Sequence, residues 1–227
     1  MNFQIKSLPN STIIALCQQI KHLGGKALIV GGWVRDTQLN ISENPDIDLE
    51  VYHLNYKQLQ NLFKDKIVAQ YPKFGVLKLQ NNIDISLPRQ EVCTGQKYND
   101  FQITLCPDLD FRLAAKRRDF TINAMGFDPL SSEFFDPYKG YHDLLKKVLR
   151  PISPHFMEDA YRILRAVQFI ARFGFSPTYE LICFARQMSP TSLSYSHIKH
   201  TQRCLQHSPF NPLCKDFLKE IHWDIDI

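Results

Sequence analysis

Apolar and polar residues follow two rhythms along this chain, and the change between them divides it. An opening helix, capped by Asn10 or Ser11 and running to about Lys21, carries the stripe Ile13, Ile14, Leu16, Cys17 and Ile20, a face expected to pack on a sheet. A period of two then takes over. Ala27 to Val30 reads as a strand running into Gly31-Gly32, with a helix starting just behind. In Asp46-Ile47-Asp48-Leu49-Glu50-Val51 the apolar residues take one strand face and the three carboxylates the other. Tyr56 to Phe63 reads as a helix, and Phe74 to Leu79 and Ile83 to Leu87 as strands joined by Gln80-Asn81-Asn82, whose asparagines tolerate positive φ. From Pro88 to about Asp110 the pattern turns polar and irregular, which predicts a long loop, either functional or plainly disordered. Phe111 to Arg118 is a short helix, and Val148 to Pro151 closes the sheet region.

Beyond His155 the period becomes helical. Ala160, Ile163, Leu164, Val167, Ile170 and Ala171 recur on one face, with Gly174 as a stop, and shorter helices are expected over Thr178 to Gln187, Ser196 to Gln206 and Pro212 to Ile221. A mixed sheet followed by helices predicts an α+β arrangement, with a sheet domain over residues 1–150 and a helical region over 151–227.

Composition narrows the class. The chain is 44% apolar and 22% charged, as globular soluble proteins are, and no run nears the roughly 18 consecutive apolar residues of a membrane span. The first 20 residues lack the basic-then-apolar order of a secretory signal, so a cytoplasmic location is expected. Six cysteines without a C-x-x-C pair suit reduced thiols. A net charge of +4 permits an RNA partner without requiring one.

The two opening strands carry the chemistry. Two glycines after a strand let backbone approach a ligand closely, and the helix start behind them offers N–H groups to a polyphosphate. Three carboxylates on one strand face repel one another unless a cation lies between them, most simply Mg2+ bound together with nucleotide phosphates; a solvated, charge-protected edge is the other reading. Asp84 alternates with Ile83 and Ile85, so it could lie beside Asp46 and Asp48. Lys116-Arg117-Arg118 is either a solvated face or a grip on a triphosphate.

Taken in order, these segments resemble a known family. Gly31-Gly32-Trp33-Val34-Arg35-Asp36 with Asp46-Ile47-Asp48, then Ile83 to Arg89, Arg117 to Ala124, Asp136 to Gly140 with Asp143-Leu144, and Glu158 to Arg165 are similar to the motifs of class II tRNA nucleotidyltransferases, the CCA-adding enzymes and their bacterial poly(A) polymerase relatives. The resemblance implies a polymerase-beta-type nucleotidyltransferase head with a helical neck, and Mg2+-dependent transfer from CTP and/or ATP to the 3′ end of tRNA. It makes Asp46, Asp48 and Asp84 the metal-binding and catalytic carboxylates, and puts Gly31, Gly32, Arg35 and Asp36 on the triphosphate side. Arg118, Asp119 and Asn123 take the ribose side, Asp159 and Arg162 the base edge, and Arg165 a triphosphate contact. On one helix, Asp159 and Arg162 would project side by side. A carboxylate accepts from an exocyclic amine and a guanidinium donates to an unprotonated ring nitrogen, a pair that C and A present and U and G reverse.

The resemblance fades after residue 176, where family members continue into longer tRNA-gripping helices. RNA tailing of the poly(A) polymerase kind and a shortened, non-catalytic binding relative are the other two readings. The acidic close of the chain, Asp224 to Ile227, runs against a basic RNA-binding tail. A partner subunit supplying tRNA-binding surface would make up for the short C-terminal region.

Overall fold

A computed structural model describes residues 9–41, 46–95 and 101–225; the expectations for the first residues, the middle of the 89–110 segment and Asp226 fall outside that set. In chain order the elements are α1 (Ser11–His22), β1 (Lys26–Val30), α2 (Gly32–Gln38), β2 (Ile47–Tyr52), α3 (Tyr56–Leu62), β3 (Ile67–Tyr71), β4 (Val76–Leu79), β5 (Ile83–Ser86), β6 (Arg89–Cys93) and β7 (Phe101–Leu105). There follow α4 (Phe111–Ala115), β8 (Gly126–Phe127), β9 (Phe134–Phe135), α5 (Gly140–Lys146), β10 (Val148–Leu149), α6 (Tyr161–Phe173), β11 (Ser176–Pro177), α7 (Tyr179–Ala185), α8 (Tyr195–Leu205) and α9 (Asn211–Glu220).

The chain forms two compact units, neither of them one continuous stretch. The first comprises residues 1–91, 103–115 and 123–138, the second residues 92–102, 116–122 and 139–227.

In the first unit a seven-stranded mixed sheet runs in the order β3-β4-β5-β2-β1-β8-β9, with β2 and β5 parallel and the other neighbours antiparallel. Asn10 caps α1 by accepting from the Ile13 N–H at 3.0 Å, and the helix sets Ile13, Leu16, Cys17 and Ile20 into the core. Leu28, Ile29, Leu49, Val51, Leu77 and Ile85 complete that core, all 2% exposed or less. The turn between β4 and β5 holds Asn81 and Asn82 at φ near 60°, as their side chains allow.

Two expectations for this region change. Ile67 to Tyr71 is a strand, and it escapes notice in the sequence because it is the half-exposed edge of the sheet, where an apolar alternation is not needed. The 89–110 segment is not a loop throughout, since β6 and β7 form a two-stranded sheet of their own.

In the second unit α8 and α9 pack on α6, whose Ile163, Leu164, Ala166 and Val167 are fully buried. Gly174 ends α6 at φ 66°, in the left-handed form that glycine adopts without strain. β10 pairs in parallel with β11. The segment after Lys116 is anchored by Phe120, whose ring packs 5.4 Å from Phe156 and 5.5 Å from Phe169. The five cysteine side chains described are free thiols; that of Cys93 lies outside the described set. No helix among the described residues is long and apolar enough to cross a membrane.

Candidate active site

The register of the large sheet sets one row of residues across five strands. Lys78 on β4 faces Asp84 on β5, Asp84 faces Asp48 on β2, Asp48 faces Val30 on β1, and Val30 faces Gly126 on β8. Side chains sharing such a row stand on the same face, on strands about 4.8 Å apart. Lys78, Asp84 and Asp48 are therefore a continuous polar file, and Gly31-Gly32 leaves the sheet immediately beyond Val30, next to Asp48. Gly31 has φ 70° and ψ −127°, a conformation reserved for glycine. Asp46 lies exposed just ahead of β2, kept by the hairpin turn through the bond from the Ile47 N–H to the Asn82 carbonyl, 3.1 Å.

Glu50 keeps the expected strand face but not the expected exposure. It is fully buried and accepts from the Tyr52 hydroxyl at 3.2 Å, because from Leu49 onward β2 has entered the core.

Lys78 is a residue that motif reading passed over. Its Nζ donates to Asp84 Oδ2 at 2.5 Å. That hydrogen bond is the chief cause of a raised lysine pKa, and the charges of Asp84, Tyr71 and Asp48 push it further up. A signal existed: with residues 80–82 as the turn, 79 pairs with 83 and 78 with 84.

Arg35 and Asp36 point inward. Arg35 Nε donates to Asp36 Oδ1 at 2.7 Å and its Nη1 to Asn123 Oδ1 at 2.6 Å, while the two residues are 4% and 0% exposed. They tie α2, and with it the glycine turn, to the segment entering β8.

The remaining candidates belong to the second unit. Asp119 accepts from the Phe120 N–H at 2.8 Å and from Arg165 Nε at 2.5 Å, and the Arg165 guanidinium lies over the Phe169 ring. The Asp119 carboxylate is the main reason that the Arg165 pKa is raised. Arg118 is half-buried in the turn before Asp119. Arg162 is buried, and its fork donates to the backbone carbonyls of His155 at 2.6 Å and Arg117 at 2.8 Å. Asp159 precedes the helix instead of sharing it with Arg162: α6 starts at Tyr161, whose N–H donates to the Asp159 carboxylate at 2.9 Å. Burial pushes the Asp159 pKa up, against the pull of that bond and of the Arg162 charge.

Among the described residues no three His, Cys, Asp or Glu side chains form a ready-made metal site. The Asp48–Asp84 pair has the hard oxygen donors of a site for an ion that takes one or two protein carboxylates and completes its shell with water and substrate phosphates.

The mixed sheet, with Asp48 and Asp84 in one row beside a glycine turn, is an α+β fold that matches the head of CCA-adding enzymes. Residues 27–150 match the family described as the poly A polymerase head domain, more than half of the chain, and the chain belongs to that family. Nucleotidyltransferases of this kind generally use divalent metal ions. A multifunctional CCA protein of Xanthomonas campestris is 36% identical over 167 residues, covering 72% of this chain and 40% of that protein. One from Xylella fastidiosa is 37% identical over 166 residues, covering 72% and 39%. The chain thus spans about 40% of the length of these curated relatives. In fold it is similar to the Bacillus stearothermophilus CCA-adding enzyme in complex with CTP, with a TM-score of 0.78, 23% identity and coverage of 93% of this chain and 52% of that one. For the Thermotoga maritima CCA-adding enzyme complexed with tRNA the TM-score is 0.71, with 21% identity and coverage of 95% and 52%.

Proposed function

We propose that this chain is a template-independent nucleotidyltransferase that uses Mg2+ to transfer CMP and/or AMP from CTP or ATP to the 3′ end of tRNA, releasing pyrophosphate in the cytoplasm. The observation that carries the reading is the register match of Asp48 with Asp84 beside the Gly31-Gly32 turn. In this reading residues 1–150 act as the head and 151–227 as the helical neck.

Asp46, Asp48 and Asp84 would hold the Mg2+, which when bound offsets charge on the triphosphate and lowers the pKa of the attacking hydroxyl. Asp84 takes the side of the acceptor and accepts the proton of its 3′-hydroxyl. Backbone N–H groups at the glycine turn bind triphosphate oxygens, and the Arg35–Asp36–Asn123 cluster holds that turn in shape. Arg118 and Asp119 serve the ribose, and Arg165 a triphosphate oxygen. Asp159 accepts from the exocyclic amine of C or A. Arg162, held by two backbone bonds, donates a remaining N–H to the ring nitrogen.

The test is single-nucleotide extension of tRNA transcripts ending at the discriminator base, at C and at CC, each NTP offered separately with Mg2+. CTP on the first two and ATP on the third support CCA addition; one of these steps alone supports a CC- or A-adding specialist. Asp48→Asn is expected to abolish extension while the protein stays folded, and near-normal turnover in that variant would sink the reading. The family match covers the head, which sets the chemistry and not the acceptor, so poly(A)-type tailing is a second reading. Equal extension of an unstructured oligonucleotide would favour it. A folded protein that binds ATP and extends nothing would favour a binding relative, or an enzyme that needs a partner subunit for its tRNA surface.

A further inference from the structure

Asp48 and Asp84 stand directly opposite each other on adjacent parallel strands, an arrangement in which like charges destabilise the sheet. On the other flank of Asp84 stands Lys78, its ammonium 2.5 Å from Oδ2, the two side chains 43% and 31% exposed. The three residues occupy one row on one face, so the Lys78 ammonium is already bonded to Asp84 and near the charge of Asp48, two of the carboxylates that the metal reading assigns to a divalent ion.

We propose that Lys78 is the resident counter-ion of the Asp48–Asp84 pair, and that a divalent cation binds there in competition with its ammonium. The proposal rests on the metal reading above and adds what occupies Asp84 before metal arrives. An ion that takes Asp84 as ligand draws on the carboxylate to which Lys78 donates, either displacing the ammonium from Oδ2 or binding the other oxygen beside it, and it would bring two positive charges against one. The Lys78 bond therefore breaks or lengthens on loading. Lysine suits such an exchange: its charge sits on a flexible four-carbon stem, already partly in water, which can swing out without leaving a buried cation behind. Before loading, the same residue keeps the opposed carboxylates from repelling each other.

Binding of Mn2+ to the full chain without nucleotide, followed by the electron paramagnetic resonance of the free ion, tests this together with melting in EDTA. Lys78→Gln is expected to bind Mn2+ about thirtyfold more tightly, the effect of removing one unit charge about 4 Å from a doubly charged ion in a water-like dielectric. The same variant should melt below wild type in EDTA, with the gap closing as Mn2+ is added. Lys78→Arg, which keeps the charge, should bind no more tightly than wild type. Equal or weaker Mn2+ binding by Lys78→Gln, with wild type binding normally and Asp84→Asn impaired, overturns the proposal alone. Identical binding by wild type, Asp48→Asn and Asp84→Asn would instead remove the metal reading, and this proposal with it.

Discussion

Replacing Asp143 tests how the segment bearing Asp119 is held. Asp143 lies on α5 and is 5% exposed. Its Oδ2 accepts from the Thr121 hydroxyl at 2.6 Å and from Arg150 Nε at 2.9 Å, and Arg150 Nη2 approaches it to 2.8 Å. Thr121 is fully buried, so in Asp143→Ala its hydroxyl loses this acceptor with no water to replace it, at about 1.5 kcal/mol. The Arg150 side chain is 31% exposed; water takes over part of its bonding, and the lost charge-assisted pair counts for roughly another 1.5 kcal/mol. The sum is about 3 kcal/mol. Asp143→Asn keeps an acceptor for Thr121 and loses only the charge, so about 1 kcal/mol is expected. Equilibrium urea unfolding measures both, and in a Trp33→Phe background the fluorescence of Trp223, a residue of the helical unit, reports on that unit alone. A double-mutant cycle of Asp143→Ala with Thr121→Val should return a coupling of about 1 kcal/mol. A loss below 1 kcal/mol for Asp143→Ala, or equal losses for the Ala and Asn variants, would refute the reasoning.

Arg35→Ala leaves Asp36 buried without its guanidinium and should cost about 3–5 kcal/mol in urea unfolding followed by Trp33, a residue of the same unit, in a Trp223→Phe background, with little recovery in Arg35→Lys because an ammonium cannot reproduce the fork to both Asp36 and Asn123. Gly174→Ala combines a left-handed φ of 66° with a Cβ that would stand 2.6 Å from the Phe210 ring, and a loss of about 2 kcal/mol is expected, read as a lower urea midpoint. Asp159 gives a pH signature. Its folded-state pKa is raised by burial, so its contribution to stability is present below the unfolded value of about 3.9 and is lost as pH rises through the folded value. Asp159→Asn, neutral throughout, should be the more stable protein at pH 7, with the difference closing as pH falls through the folded value towards about 4; a pH-independent difference would show that burial is not the cause.

What was legible in the sequence follows from where each signal originates. The helices over 11–22 and 161–173 declared themselves because a 3.6-residue stripe and a cap or a stop glycine are local facts; both ends of the first and the Gly174 end of the second agree with the structure within a residue, while the second starts at Tyr161, later than a helical pattern from His155 through Asp159 suggests. The adjacency of Asp84 and Asp48 was open to inference for the same reason, since alternation fixes the face of each strand. Strand order and register, which put the two carboxylates directly opposite each other, are properties of pairing and are not written in either segment. Edge strand β3 and the pair β6/β7 were missed because half-exposed strands need no apolar alternation. Glu50 was misread for a related reason. Period two assigns it to the face of Asp48, correctly, but says nothing of how deep along the strand the core begins, and two residues of advance take the chain from exposed Asp48 to fully buried Glu50. Lys78 was lost in the opposite direction, as a lone lysine in a hairpin strand reads as solvated until its cross-strand partner is named. The site therefore comes from local motifs that supply carboxylates and glycines, while the sheet decides which of those charges share a row, which sink into the core, and which cation stands beside them.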